Sequence, residues 1–430
     1  MFRLFIFTLA ALVSSASANA DDFEAMRGEV AALGKLTTPP GFQNAEGYEA
    51  SENLKAIYFD GLNYQGKPTK VFAWLGMPAN TSGKVPGVVL VHGGGGTAFK
   101  EWVQKWNQKG FAAISIAVEG QLDIRGGDTR GGKKWKQHAW PGPKRSGIYH
   151  DSDKPLKDQW MYHAVADTVI ANSLLRSLPN IDTDKVGVMG ISWGGIITST
   201  VMGIDNRFAF AIPTYGCGDL SASENQYGRA LGDNDVYKQV WDPILRLKLA
   251  TMPAQWLSWP GDKHFALDKQ ARSYQATSGD TMVTLVPGMG HGHKPGWNAP
   301  DSYAFAQSVV ADPNGKPWCL SKSTVLKKNV ATASFTSSKT IESAILVSTT
   351  DSGATGSRKW TQTPAQLIKK TDGHWHAQAT LPAETINWFI NASSDGLTVS
   401  SKYQGEGSPA KTLSSFEVKH NSNQNSKSTP

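Results

Sequence analysis

Residues 185–204 read KVGVMGISWGGIITSTVMGI and pass from a strand pattern to a helix pattern with no loop between. The first half is an unbroken apolar run, of the kind found in strands whose sheet is covered on both faces. The helical half starts at once, so the chain must turn within Gly190-Ile191-Ser192-Trp193-Gly194. At so tight a turn, side chains at the two glycines would strike the neighbouring strand and helix. A buried strand feeding a helix in this way predicts a parallel sheet covered by helices.

The same grammar recurs along the chain. VPGVVLVHGGGG is an apolar run ending in glycines, and the amphipathic AFKEWVQKWNQKG that follows ends at Gly110, a helix stop. FAAISIAVEG, FAFAIPTYG, AQWLSWPGD and TMVTLVPGMG read as strands, and DQWMYHAVADTVIANSLLRSL and PDSYAFAQSVVAD as helices. LKAIYFDGL and KPTKVFAWLGMP form an opening hairpin around NYQGK. After Pro317 apolar and polar residues alternate in ESAILVSTT, AQLIKKTDGHWHAQATLP, TINWFINAS and LTVSSKYQG, which is β-sandwich patterning. A chain of 430 residues exceeds one small core. The expectation is therefore an α/β domain over 21–316, a small β-sandwich accessory domain over 317–405 and a disordered polar tail over 406–430.

The first twenty residues, MFRLFIFTLAALVSSASANA, carry a positive charge at Arg3, an apolar run from Leu4 to Val13 and small residues at Ala18-Asn19-Ala20. They read as a secretory signal, which predicts a secreted or periplasmic protein whose mature chain starts at Asp21. The run is well short of the roughly 20 apolar residues of a spanning helix, and no later segment supplies them, so membrane insertion is not expected. Export permits disulfides, but the chain holds only Cys217 and Cys319, far apart in sequence. A bridge between them and two buried free thiols are both open readings.

The net charge of +7 is mild for this length. Much of it is local: residues 121–150 hold Arg125, Arg130, Lys133, Lys134, Lys136, Lys144 and Arg145 against Asp123 and Asp128. Nucleic-acid binding asks for a larger basic face with stacking aromatics and is not expected. The longer stretch 121–158 is rich in Gly, Pro, Trp and Lys, and aperiodic, which predicts a loop beside the functional site. It is either simply solvated or holds an anionic group of a substrate.

A serine hydroxyl attacks only when a neighbouring base takes its proton, and it must protrude to reach a substrate. Ser192, at the sharp turn from strand to helix, is the candidate nucleophile. Attack on a carbonyl puts negative charge on oxygen, which preorganised N–H groups must meet. One is the amide of Trp193, and the second is expected from VHGGGG, with Gly94 the first choice and Gly93 and Gly95 as neighbouring contacts. A phosphate-cradling loop fits less well, because no Lys-Ser/Thr follows the glycines, and no cofactor is implied.

The acid and the base should follow in the order Ser, Asp, His. Asp262, in WLSWPGDKHFALDKQ, lies just beyond a strand, where it can reach the crevice, whereas Asp268 reads as part of the next helix. His291, in VTLVPGMGHGHKPGW, directly follows the last strand and is the candidate base; His293 reads as a supporting or solvated residue. His92 is expected to support the glycine loop, His163 sits mid-helix and His264 lies in the loop after Asp262. A metal site at HGH or at His374 and His376 lacks a third ligand at diagnostic spacing, so no metal is expected.

Together VHGGGGTAFKEWVQKW, GISWGG, WLSWPGDKHFALDKQARSY and GMGHGHKPGW resemble the secreted serine esterases of the α/β-hydrolase fold, of the acetyl xylan esterase and dienelactone hydrolase-like kind. The resemblance runs from about Leu54 to Asp312. It implies the same triad, Ser192, Asp262 and His291, with Gly94 and Trp193 as the oxyanion hole. Dienelactone hydrolases use cysteine where this chain has Ser192, which moves the expectation towards ester hydrolysis.

The sequence thus predicts a serine carboxylesterase acting on acylated carbohydrate, or another small ester, through an acyl-enzyme. Trp135, Trp140, Trp193 and Trp259 are candidate sugar-stacking rings, with ordinary packing as the alternative. A prolyl-oligopeptidase-like peptidase shares the triad order, but too few residues precede Leu54 for the long leading domain of that group. A basic, glycine-rich loop is a poor lipase lid. The other class is a non-catalytic carbohydrate-binding homologue. If residues 121–150 recruit an anionic group, neutralising Lys133, Lys134 and Lys136 raises the Michaelis constant chiefly at low salt. A constant that responds equally at low and high salt assigns the stretch to solvated loop.

Overall fold

The computed structural model describes residues 20–79, 82–126, 135–371 and 373–408. The proposed leader up to Asn19, Asp128, Arg130, Lys133 and Lys134 of the basic stretch, and the tail from residue 409 lie outside the described residues.

The chain opens with helix α1 (Ala20–Ala32), an element the sequence reading lacks, and continues through strands β1 (Phe42–Asn44), β2 (Leu54–Asp60), β3 (Lys70–Gly76), β4 (Val85–Val91) and β5 (Ala112–Ile116). Helix α2 (Lys100–Asn107) links β4 to β5. Next come β6 (Gln121–Arg125), β7 (Trp135–Gln137), α3 (Trp160–Ser177), β8 (Ile181–Ile191), α4 (Trp193–Val201) and β9 (Ala211–Thr214). Then follow α5 (Gln226–Leu231), β10 (Ala254–Ser258), α6 (Leu267–Ala276), β11 (Thr281–Leu285), α7 (His293–Asn298) and α8 (Pro300–Ala311).

The central sheet runs β1-β2-β3-β5-β4-β8-β9-β10-β11, and its inner pairs, from β5/β4 to β10/β11, are parallel. Its strands are buried on both faces: β5 is buried at every position, and β8 from Val186 onward. That is why the sequence runs are continuous rather than alternating. Helix α3 is buried from Trp160 to Leu175, and the Trp160 N–H at its start donates to Asp151 Oδ2 at 2.7 Å, filling a helix-start donor that no local cap serves.

Beyond residue 317 the chain forms β12 (Cys319–Lys327), β13 (Val330–Ser337), β14 (Ser343–Thr349), β15 (Thr361–Pro364), β16 (Gln366–Lys369), β17 (Trp375–Thr380), β18 (Asn387–Ser394), β19 (Leu397–Ser400) and β20 (Gln404–Gly405). Antiparallel strands in the order β12-β13-β17-β16 make one sheet. The others extend the central sheet: β19 pairs with β11 at Val283↔Ser400, and β18, β14 and β15 follow. Sheet and hydrophobic core therefore cross the expected boundary at 317, and the buried cluster includes Leu346, Phe389 and Val399 together with Leu285.

Three local readings are corrected. Residues 121–125 and 135–137 pair as an antiparallel ribbon rather than staying loop throughout, register pairs Gln121↔Gln137 and Arg125↔Trp135 holding the ends. The β12–β13 hairpin was missed because most of β12 is exposed and its polar sequence lacks the apolar alternation of a half-buried strand. Cys217 and Cys319 are free and buried, so the open disulfide reading falls. No helix among the described residues is long and apolar enough to cross a membrane.

Inside α3, burial pushes the Asp167 carboxyl up to about 8 from its ordinary 3.8. The folded chain thus keeps a proton that the unfolded chain has lost between pH 4 and 8, and this costs stability as pH rises through that window. Asp167→Asn keeps the shape without the ionisation. It should raise Tm by ~5 °C at pH 7 and leave it nearly unchanged at pH 4. Equal shifts at the two pH values in thermal melts would contradict this assignment.

Candidate active site

Strand β8 ends at Ile191 and α4 begins at Trp193, so Ser192 takes the whole turn, at φ 59° and ψ −114°. A side-chain-bearing residue there costs about 1–3 kcal/mol and persists only where its surroundings overdetermine it. Here the Ser192 N–H donates to Thr214 O at 2.8 Å, and its carbonyl accepts from the Ile196 N–H at 3.0 Å. The glycines let the backbones close in. A Cβ on Gly190 would lie 2.0 Å from Gly194 O, and one on Gly194 2.0 Å from Val91 O.

Side chains from the ends of two further strands meet this hydroxyl. His291, six residues beyond β11, has Nε2 3.0 Å from Ser192 Oγ, and its Nδ1 lies 2.9 Å from Asp262 Oδ2. Asp262, 1% exposed, sits on the turn after β10, and its Oδ1 accepts from the amides of His264 at 2.8 Å and Phe265 at 3.0 Å. Those two bonds leave Oδ2 for the imidazole. The His291 ring is held between flat neighbours, with Phe265 nearly parallel at 17° and Tyr215 4.6 Å away between centroids. The acceptor at Nδ1 makes that nitrogen the N–H and leaves Nε2 free to take a proton from Oγ. Sequence reasoning treated His264 as loop filler, yet its ring stands 4.8 Å from His291 and its Nδ1 meets Gln226 Nε2 at 2.6 Å.

The glycine loop is pinned by two imidazoles at one residue. The Gly93 N–H donates to His293 Nε2 at 2.9 Å, and His92 Nδ1 donates to Gly93 O at 2.7 Å. That tautomer of His92 follows because its Nε2 accepts from the Val118 N–H at 3.2 Å. Burial lowers His293 to about 4 and His92 to about 3, so both rings stay neutral and the loop keeps its shape near neutral pH. His293 is thus a structural partner of the loop, which only the repeated Gly-His of GMGHGHK signalled. It occupies the Gly93 amide, while the Gly94 and Trp193 amides meet no acceptor among the described residues.

The aromatic candidates separate. Trp135 donates from Nε1 to Gly95 O at 2.9 Å and lies under the Arg125 guanidinium, 3.5 Å from ring centre to carbon. Trp259 accepts the Asp262 N–H at its carbonyl, 3.3 Å away, and so belongs to the Asp262 turn. Trp140 instead packs edge-on against Tyr58 of β2, 5.7 Å away, in contact with none of the three central side chains. Below the turn the Trp193 indole sits among Tyr149, Trp160 and Tyr227, with the Arg145 guanidinium 4.8 Å from its centre and 3.3 Å from where a Gly94 Cβ would stand. Among the described residues no group of three or more His, Cys, Asp or Glu side chains is placed to hold a metal ion.

Removing the imidazole that holds Gly93 should loosen the amides beside it. His293→Ala is expected to lower kcat on an aryl acetate by about tenfold, the scale of a weakened oxyanion contact, with the fold intact by circular dichroism. A kcat within twofold of wild type in steady-state assays would remove His293 from the loop's support.

The acetyl xylan esterase family matches residues 6–219, a span that holds the glycine loop and Ser192 and stops before Asp262 and His291. Among solved structures, the acetyl xylan esterase from Paenibacillus sp. R4 is 19% identical with a TM-score of 0.52, over 67% of this chain and 95% of that one. Acetyl xylan esterase 1 from Thermoanaerobacterium sp. JW/SL YS485 is 19% identical with a TM-score of 0.50, over 65% of this chain and 90% of that one. No curated protein matches the sequence at a significant level. The structures carry the fold and the sequence match points to the family: the chain is an α/β-hydrolase and a serine carboxylic ester hydrolase, similar over residues 6–219 to the acetyl xylan esterases.

Proposed function

We propose that the protein is an exported esterase that removes acyl groups, acetyl foremost, from carbohydrate, with Ser192, His291 and Asp262 as its catalytic triad. The reading is carried by one observation: an unbroken hydrogen-bond chain from Asp262 through His291 to a serine hydroxyl held at a strained turn. Ser192 Oγ attacks the ester carbonyl while His291 Nε2 takes its proton, and Asp262 stabilises the imidazolium. The oxyanion is met by the amides of Trp193 and Gly94. Collapse expels the sugar oxygen, which leaves as the alcohol with the proton from His291. Water, deprotonated by the same imidazole, then cleaves the acyl-serine and releases the carboxylic acid.

Acetylated xylan is the first substrate class to try, because the family and both related structures bear that name. Polar groups beside the serine suit a hydroxylated leaving group better than a lipid chain: Arg145, His264 and the Trp135 indole border the loops around it. Export is supported by the charged, apolar and small-residue sequence of the first twenty residues.

Wild-type protein should react with a fluorophosphonate probe and release acetate from an aryl acetate and from acetylated xylan. Ser192→Ala should lose the label and at least a thousandfold in kcat. Equal labelling and turnover by the variant would refute the mechanism, and sugar binding without turnover by wild type would favour a non-catalytic binding protein.

A further inference from the structure

The acid turn is gripped from outside by the C-terminal β strands. Between β14 and β15 the chain makes a short turn at Thr355–Ser357 that packs directly on it. A Cβ on Gly356 would stand 2.0 Å from Asp262 O, 2.5 Å from its carbonyl carbon and 2.8 Å from Lys263 N. All three are backbone atoms, so no rotamer change can relieve the clash. Close approach alone demands glycine here. Next to it Thr355, 4% exposed, accepts the Leu267 N–H on Oγ1 at 2.9 Å. Leu267 opens α6 just after the acid turn, and Ala266 before it supplies no side-chain cap. Thr355 therefore does the work of an N-cap from 88 residues further along the chain.

The base strand is held by the same region. At the end of β11 the Leu285 N–H donates to Ser400 Oγ at 2.8 Å, and Asn391 Nδ2 donates to Leu285 O at 2.8 Å. Ser400 Oγ in turn donates to Asn391 Oδ1 at 2.6 Å, with both side chains buried. One contact set lies at the exit from β10 towards Asp262, the other at the exit from β11 towards His291.

We propose that the turn at Thr355–Ser357 is part of the catalytic apparatus, with Thr355 and Gly356 acting as positioning residues that fix the Asp262 turn and so the Asp262–His291 hydrogen bond. The proposal rests on the triad reading above. That bond is 2.9 Å long, and a displacement of well under 1 Å takes it past hydrogen-bonding range. A substitution that moves the Asp262 carbonyl therefore acts on turnover before it acts on substrate binding.

The test compares Gly356→Ala, Thr355→Val and Thr355→Ser in the full chain, with Leu346→Ala, in the C-terminal core away from the acid turn, as the control for general destabilisation. With an aryl acetate, below the melting range of all variants, Gly356→Ala and Thr355→Val should lose tenfold or more in kcat with KM within twofold. Thr355→Ser, which keeps the oxygen, should recover most of the rate, and Leu346→Ala should melt earlier with kcat nearly intact. The downfield proton resonance of the His291 Nδ1–H reports the same bond without substrate and should broaden or vanish in the two impaired variants alone. Losses no larger than those of Leu346→Ala, no recovery with serine, or an unchanged resonance in Gly356→Ala would overturn the proposal. Where wild type itself proves inactive, the resonance still decides it: a signal lost with valine and kept with serine supports positioning while the esterase reading fails.

Discussion

The contact on which the rest of the structure depends is backbone against backbone at the foot of the β8–α4 turn. Gly194 stands where any Cβ would meet Val91 O of β4 at 2.0 Å, and Gly190 where one would meet Gly194 itself. This lets α4 start directly at the end of β8 and forces Ser192 to φ 59°. The strain is held by bonds to β9 through Thr214 and to α4 through Ile196. Three neighbouring parallel strands are thereby committed to one geometry, and the hydroxyl stands at their carboxyl ends, where the loops after β4, β10 and β11 also emerge.

Neutral histidines extend that rigidity to the glycine loop. A charged imidazole at 92 or 293 would have no acceptor lone pair for the amide it now receives, so the loop's shape depends on burial keeping both rings unprotonated. Environment divides the labour of three of the histidines near the serine. His291 faces a buried carboxylate and keeps an open Nε2, whereas His92 and His293 face backbone donors and hold a loop. Their spacing in sequence, with only Gly292 between two of them, does not reveal this division.

Much of the fold was legible because its strands are covered on both faces: such runs carry continuous apolar sequence, and β4, β5, β10 and β11 fall within the runs read from it, while β8 begins four residues ahead of its run, at Ile181. The meeting of Ser192, Asp262 and His291 was legible for the related reason that each follows such a run directly, and the strand's end fixes the residue's place. What stayed hidden is what depends on contacts across long separations. β12 carries no apolar alternation, and the use of His293 follows from a partner 200 residues away. The stacking candidates divided for the same reason, since a tryptophan in a loop gives no sign of which wall it meets.

The strands beyond residue 317 form antiparallel sheets, and one of these is continuous with the central sheet through β19. Alternating patterning rightly indicated antiparallel sheet there, but it is silent on which edge a strand joins. A parallel sheet ending at β11 would expose a row of unpaired N–H and C=O groups, an edge that proteins cover or disrupt. Here β19 covers it, the buried Asn391–Ser400 pair satisfies Leu285 on both its polar groups, and the core runs on without a break. Because β11 is also the strand that leads to His291, the contacts that close the edge also hold the strand that places this imidazole.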